Sequence, residues 1–196
     1  MSAQRLLTVL LLVVCAACQR GDGGFRATDI TGAEFARQLS LTDHDGKRRT
    51  LADFRGKVVV VFFGFTHCPD VCPTTLAELT GAMKKIGKDA DRVQVLFITV
   101  DPERDTADIL KPYVTAFDPR FLGLRGSAEE TAAVAKEFKV IYQKVGAGDG
   151  KGASYTMDHS AGSYVFDAEG RVRLYVGYGA GSEVFAHDIA RLLAGR

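Results

Sequence analysis

The amino-acid sequence predicts an α/β fold, with a central mixed sheet flanked by helices and opened by an N-terminal β-hairpin. Three observations carry that expectation. Two continuous apolar runs, KVVVVFF at 57–63 and RVQVLFITV at 92–100, have the composition of strands covered on both faces. Between them, apolar Leu76, Leu79, Met83 and Ile86 recur at helical spacing. The chain then closes with two strand-like segments around an Asp-Ala-Glu-Gly turn and an amphipathic stretch at 182–194.

Taken in order, the first 17 residues stand apart from the fold. Arg5 precedes the apolar run LLTVLLLVV, which ends in the small-residue stretch CAAC. From Leu6 to Ala17 is 12 residues, short of the ~20 that cross a bilayer as a helix. The layout is that of a bacterial export signal, placing the mature protein on the periplasmic side of the membrane. Ala16-Ala17-Cys18 is similar to a lipobox, in which the cysteine is lipidated and becomes the new N-terminus; Cys15 departs from it, standing where such a box ordinarily has an aliphatic residue. Residues 18–30 then read as a flexible tether, and residues 31–196 as a single domain without internal repeat.

Within that domain QLSLTDHDGKRRTLADF reads as a hairpin turning at Asp45-Gly46. The run at 57–63 is the first buried strand, the helix follows from Pro73, and the run at 92–100 is a second strand stopped by Asp101-Pro102. Residues 105–117 and 127–139 read as helices, with FLGL as a short strand or turn between them. GAGDGKGA at 146–153 is a Gly-rich loop expected to be mobile.

Composition narrows the function. The 196 residues are 46% apolar and 25% charged, enough for one core. A net charge of +1 gives no basic field, so no nucleic-acid partner is expected.

Chemistry is concentrated in FGFTHCPDVCPTT, residues 63–75. Cys15 is expected to leave with the signal, and Cys18 to carry the lipid or, after plain signal-peptidase cleavage behind Ala17, to stay in the tether, so the folded domain keeps only Cys68 and Cys72. A disulfide closing so small a loop constrains the unfolded chain little, so a purely structural staple is disfavoured. The residue before a proline is pushed out of the helical region, and Pro suits a first helical turn, so Cys72 is expected at the helix N-cap and Cys68 in the preceding loop. Opening dipoles worth up to ~2 kcal/mol would then bring the Cys72 thiol down towards neutrality. Two thiolates are soft ligands that suit Cu(I) or zinc and disfavour magnesium and calcium.

Four histidines could complete such a set: His44, His67, His159 and His187. His187 reads as a packing or surface residue, His44 as part of the hairpin turn, and His67, adjacent to Cys68, as an exposed or supporting group. His159, in TMDHSAGSYVF directly before the final hairpin, is the candidate third ligand, with Asp158 beside it to orient the ring or merely to line a loop. Asp101 reads as a turn or capping carboxylate, or as an acid that tunes the site or faces a partner.

GFTHCPDVCPTTL, ITVDPERDT and DHSAGSYVFDAEG together make the chain resemble the Sco family (Sco/SenC/PrrC), over roughly residues 38–193. The resemblance implies a thioredoxin-like fold, in which the segment before the final hairpin packs against the cysteine loop. It implies copper, as Cu(I) or Cu(II), held by Cys68, Cys72 and His159. It further implies a metallochaperone that assists assembly of the dinuclear copper centre of cytochrome c oxidase, or a thiol–disulfide oxidoreductase using Cys68 and Cys72 to reduce that partner's cysteines. The partners implied are the copper-accepting oxidase subunit, another periplasmic copper donor or a thiol reductant, and the membrane through a lipid on Cys18.

Two other readings fit less well. VCPTT is superficially similar to the reactive loop of peroxiredoxins, but Pro69 stands where those have a threonine hydroxyl. Zinc suits the donor types, although closely spaced cysteines with a distant histidine favour exchange over permanence.

Overall fold

The computed structural model describes residues 24–146 and 155–196. An eight-stranded mixed sheet runs in the order β1 (Thr28–Asp29), β10 (Val172–Val176), β9 (Ser163–Phe166), β4 (Val58–Gly64), β5 (Val93–Thr99), β6 (Leu122–Arg125), β2 (Ser40–Asp43), β3 (Arg48–Thr50). Its centre is β4 (Val58–Gly64) paired in parallel with β5 (Val93–Thr99), and every residue of both strands is buried. That is the outcome expected of continuous β-branched and aromatic runs, which can only be satisfied with both sheet faces covered.

The covering helices come from the intervening sequence: α1 (Val71–Ile86), α2 (Ala107–Phe117), α3 (Ala128–Glu137) and α4 (Ser182–Leu193). The helix α4 lies against α1, and α2 lies against β6 (Leu122–Arg125), which extends the parallel set beside β5. The N-terminal hairpin forms as the sequence predicts: β2 (Ser40–Asp43) pairs with β3 (Arg48–Thr50), and Gly46 takes φ +83° in the turn. Asp43 builds that turn by accepting the backbone N–H groups of Asp45 and Lys47, and Arg49 donates to its other oxygen at 2.7 Å.

On the other side of β4, β9 (Ser163–Phe166) and β10 (Val172–Val176) form the closing hairpin, both antiparallel to their neighbours. Two features lie outside the sequence expectation. Thr28–Asp29, within the segment read as a tether, forms β1 and pairs with β10. Buried Asp188 of α4 accepts the Arg26 and Ala27 N–H groups just before it, building residues 26–29 into the fold. The second is a separate two-stranded ribbon, β7 (Tyr142–Val145) with β8 (Thr156–His159), which among the described residues pairs with no other strand.

The sheet topology decides where chemistry can happen. Parallel β4 and β5 send the loops 65–70 and 100–106 out at the same edge, and Val100 donates its N–H to the Gly64 carbonyl at 2.8 Å. Because β9 is antiparallel to β4, with Ser163 opposite Phe62, the segment leading into β9 arrives at that edge as well. Loops at the carboxyl edge of parallel strands are the usual place for a site in such sheets. The expected signal, the first part of the tether and all but Gly146 of the Gly-rich loop at 146–153 lie outside the described residues.

Candidate metal centre

The edge so formed collects three soft or borderline donors. Cys68 lies in the loop after β4, Cys72 in the first turn of α1, and His159 at the end of β8; one donor atom from each lies within 4.8 Å of the others. His159 Nε2 stands 3.5 Å from the Cys72 sulfur, and the Cys72 backbone N–H donates to Cys68 Sγ at 3.4 Å. Both cysteines are free thiols, Cys68 partly exposed and Cys72 buried.

The local geometry departs from the expected helix start. Asp70 is the N-cap, so Cys72 is a helical residue and Pro73 stands third in the helix. The first-turn N–H groups have no acceptor within a helix, so proline costs no bond at that place either. Starting the helix at Val71 turns the Cys72 side chain into the core and its free N–H towards Cys68.

That placement also reverses the electrostatic expectation. Cys72 is 0% exposed, and burial drives its thiol far above the ordinary cysteine range, beyond what a hydrogen bond with the Phe65 backbone recovers; the neighbouring Cys68 pushes it further up. The helix terminus does not deliver a free thiolate at neutral pH, so an incoming cation must displace the proton.

Burial acts on His159 in the opposite sense. Desolvation lowers its pKa against the bond to the Ser160 carbonyl, which keeps the imidazole neutral and its lone pair available. The ring is held by that carbonyl 3.0 Å from Nδ1 and by edge-on contacts with Phe65 and Phe62 at 5.9 and 6.3 Å between centroids. With Nδ1 so engaged, Nε2 faces the sulfurs. Asp158 does not orient the ring through a hydrogen bond: it is exposed, on the opposite face of β8, as neighbours in a strand must be.

The remaining candidates separate cleanly. His67 has an exposed side chain, with Nδ1 3.1 Å from the Thr66 hydroxyl, and stands outside the donor cluster. His44 is buried, accepting the Gly123 N–H at 3.1 Å, and His187 pairs with Asp188 at 2.7 Å. Asp101 is a buried anchor, accepting from the Arg104 guanidinium and, at 2.8 Å, from the Tyr155 hydroxyl.

Two supporting residues escaped the sequence reading. Asp105 is 0% exposed and accepts the Thr66 N–H at 3.0 Å, the Thr66 hydroxyl at 2.5 Å and the Thr99 hydroxyl at 2.6 Å, tying the cysteine loop to the end of β5. The sequence places it at the start of a helix, but that helix begins only at Ala107. Gly64 ends β4 where a Cβ would lie 2.8 Å from both the Cys72 sulfur and the Phe97 ring. A glycine closing an otherwise continuous apolar strand is the sequence signal for such a close approach.

Known proteins match this chain over most of its length. A family model described as SCO1/SenC matches residues 27–194. A mouse protein described as mitochondrial SCO2 homolog is 41% identical over 158 residues, covering 80% of this chain and 61% of the relative. The chain thus spans less than two thirds of the length of such curated relatives. Among solved structures, Bradyrhizobium japonicum ScoI with copper bound is 44% identical with a TM-score of 0.72, covering 80% of this chain and 98% of that one. Apo Sco1 from Thermus thermophilus is 40% identical with a TM-score of 0.77, covering 87% and 98%. The fold is therefore the thioredoxin-like one of these structures, and the chain belongs to the SCO1/SenC family.

Proposed function

We propose that the protein is a copper metallochaperone that carries its ion on Cys68, Cys72 and His159 and assists assembly of the dinuclear copper centre of cytochrome c oxidase. The observation that carries this reading is the convergence of two thiols and one neutral imidazole within 4.8 Å. Two thiolates and an imidazole suit Cu(I), and one further weak donor would accommodate Cu(II). Copper appears in the descriptions of the Bradyrhizobium, Arabidopsis and yeast relatives, and the Sco family is described as one of cytochrome c oxidase assembly proteins. Transfer by ligand exchange requires an accessible donor, and partly exposed Cys68 supplies the open side. Export through residues 1–17 and a lipid on Cys18 would hold the domain at the periplasmic face of the membrane, where the oxidase subunit that accepts copper is reached.

A second reading rests on the same pair. Cys68, the more accessible sulfur, attacks a partner disulfide and releases one partner thiol; Cys72 then attacks the mixed disulfide, releases the second and leaves Cys68 and Cys72 oxidised to a disulfide. His159 has no part in that exchange, so its replacement separates the two readings.

Copper titration of the soluble domain should give a one-to-one thiolate-to-Cu(II) charge-transfer absorption that disappears when either cysteine is replaced. His159→Ala should weaken copper binding by more than the roughly ten- to hundredfold typical of an outer-shell partner while leaving dithiol exchange in place. Unchanged copper affinity in that variant contradicts the three-donor reading.

Proton linkage follows from burial. The Cys72 thiol is protonated at neutral pH and the imidazole is neutral, so the displaced proton comes from sulfur and Cu(I) affinity rises with pH. Calorimetric titration in two buffers of different ionisation enthalpy should report net proton release at pH 7; none released means that Cys72 is already ionised or does not bind.

In the reduced, metal-free protein, iodoacetamide should modify Cys68 well before Cys72, because only an accessible thiolate reacts. Peptide mapping over time checks this, and equal rates would show that the Cys72 pocket opens freely.

A further inference from the structure

The ribbon that presents His159 is poorly supported by its own strands. Among the described residues its two strands pair only with each other, and such hairpins are marginal in isolation. Of β8 only Met157 is buried, so the ribbon brings little apolar surface of its own. Something outside it must hold it against the cysteine edge.

Tyr155, immediately before β8, is gripped at three points by the loop that follows β5. Its hydroxyl donates to Asp101 Oδ1 at 2.8 Å, and its carbonyl accepts from Arg104 Nη1 at 2.9 Å. Its ring lies 3.6 Å beneath the Arg104 guanidinium. Arg104 is fixed in turn by Asp101, whose side chain is fully buried and whose own N–H is held by the Thr99 hydroxyl at 2.9 Å. The guanidinium also lies 5.9 Å from the Phe65 ring, which packs edge-on against His159. On the outer side Lys144 of β7 stands 4.9 Å from the Tyr155 ring and bonds Glu103 at 2.6 Å.

We propose that Asp101, Arg104 and Tyr155 form a positioning clamp that docks the β7–β8 ribbon on the cysteine edge and so sets how readily His159 reaches the paired sulfurs. None of the three contributes to the donor cluster; they act through His159 by reducing the freedom of the strand that carries it. The guanidinium suits this task because it stacks on an aromatic face and donates in fixed directions at once, which an ammonium does not. The inference rests on reading His159 as a ligand, but the docking it describes is measurable in metal-free protein.

The test combines Tyr155→Ala, which leaves the Asp101–Arg104 pair intact, with the milder Arg104→Lys, which keeps the charge. In metal-free protein, amide hydrogen exchange across β7 and β8 should accelerate in both variants while β4 and β5 keep their protection. Cu(I) affinity should fall by roughly ten- to a hundredfold with His159 present and stay unchanged by the same substitutions in the His159→Ala background. Unaltered ribbon exchange overturns the clamp, and so does an equal loss of affinity in both backgrounds, which would mark general destabilisation. If His159→Ala alone leaves affinity unchanged, the ligand reading fails, and the exchange data still decide whether the clamp docks the ribbon.

Discussion

The pairing of β4 with β5 on one side and β9 on the other is the constraint from which the site follows. Parallel β4 and β5 place the cysteine loop and the Asp101–Asp105 loop at one edge, and the antiparallel register of Phe62 with Ser163 delivers the chain just after His159 to the same place. A one-residue slip of β9 against β4 would exchange its two faces and disturb the core on which the imidazole rests.

Burial sets the character of the site once the strands have placed it. Cys72 belongs to the hydrophobic core, in a space left open by Gly64. A thiol there is protonated and shielded, unlike the activated thiolate of a redox enzyme. The same desolvation keeps His159 neutral, so the environment that withholds charge from the sulfur makes the nitrogen a ready donor. On the proposed reading a soft cation would repay both groups at once, and partly exposed Cys68 would give it a way in and out. Asp105 gives the cysteine loop a fixed root in β5, accepting from both Thr66 and Thr99.

Much of this was legible in the sequence. The two central strands were readable because nothing but a doubly covered strand accommodates VVVVFF and VQVLFIT, and the hairpin because Asp45-Gly46 supplies a residue at ease with positive φ. The cysteine spacing and the histidine before β9 marked the three residues that the structure brings together. The ribbon was hidden because YQKV has no buried residue and TMDH only one, leaving no periodicity to detect. The helix start was misplaced because proline is compatible with several first-turn positions, and the packing of Cys72 chose among them. The protonation of Cys72 and the role of Asp105 depend on neighbours from other strands, which local sequence does not disclose.

The central claim is that one copper ion is shared by the paired sulfurs and the distant imidazole. Copper-edge X-ray absorption of the singly loaded protein tests it most directly, because scattering distinguishes sulfur from nitrogen neighbours. The expected result is two sulfur scatterers with one imidazole nitrogen, whose outer-ring signature vanishes when His159 is replaced. A spectrum with sulfur neighbours alone, or one unaffected by that replacement, would contradict the account.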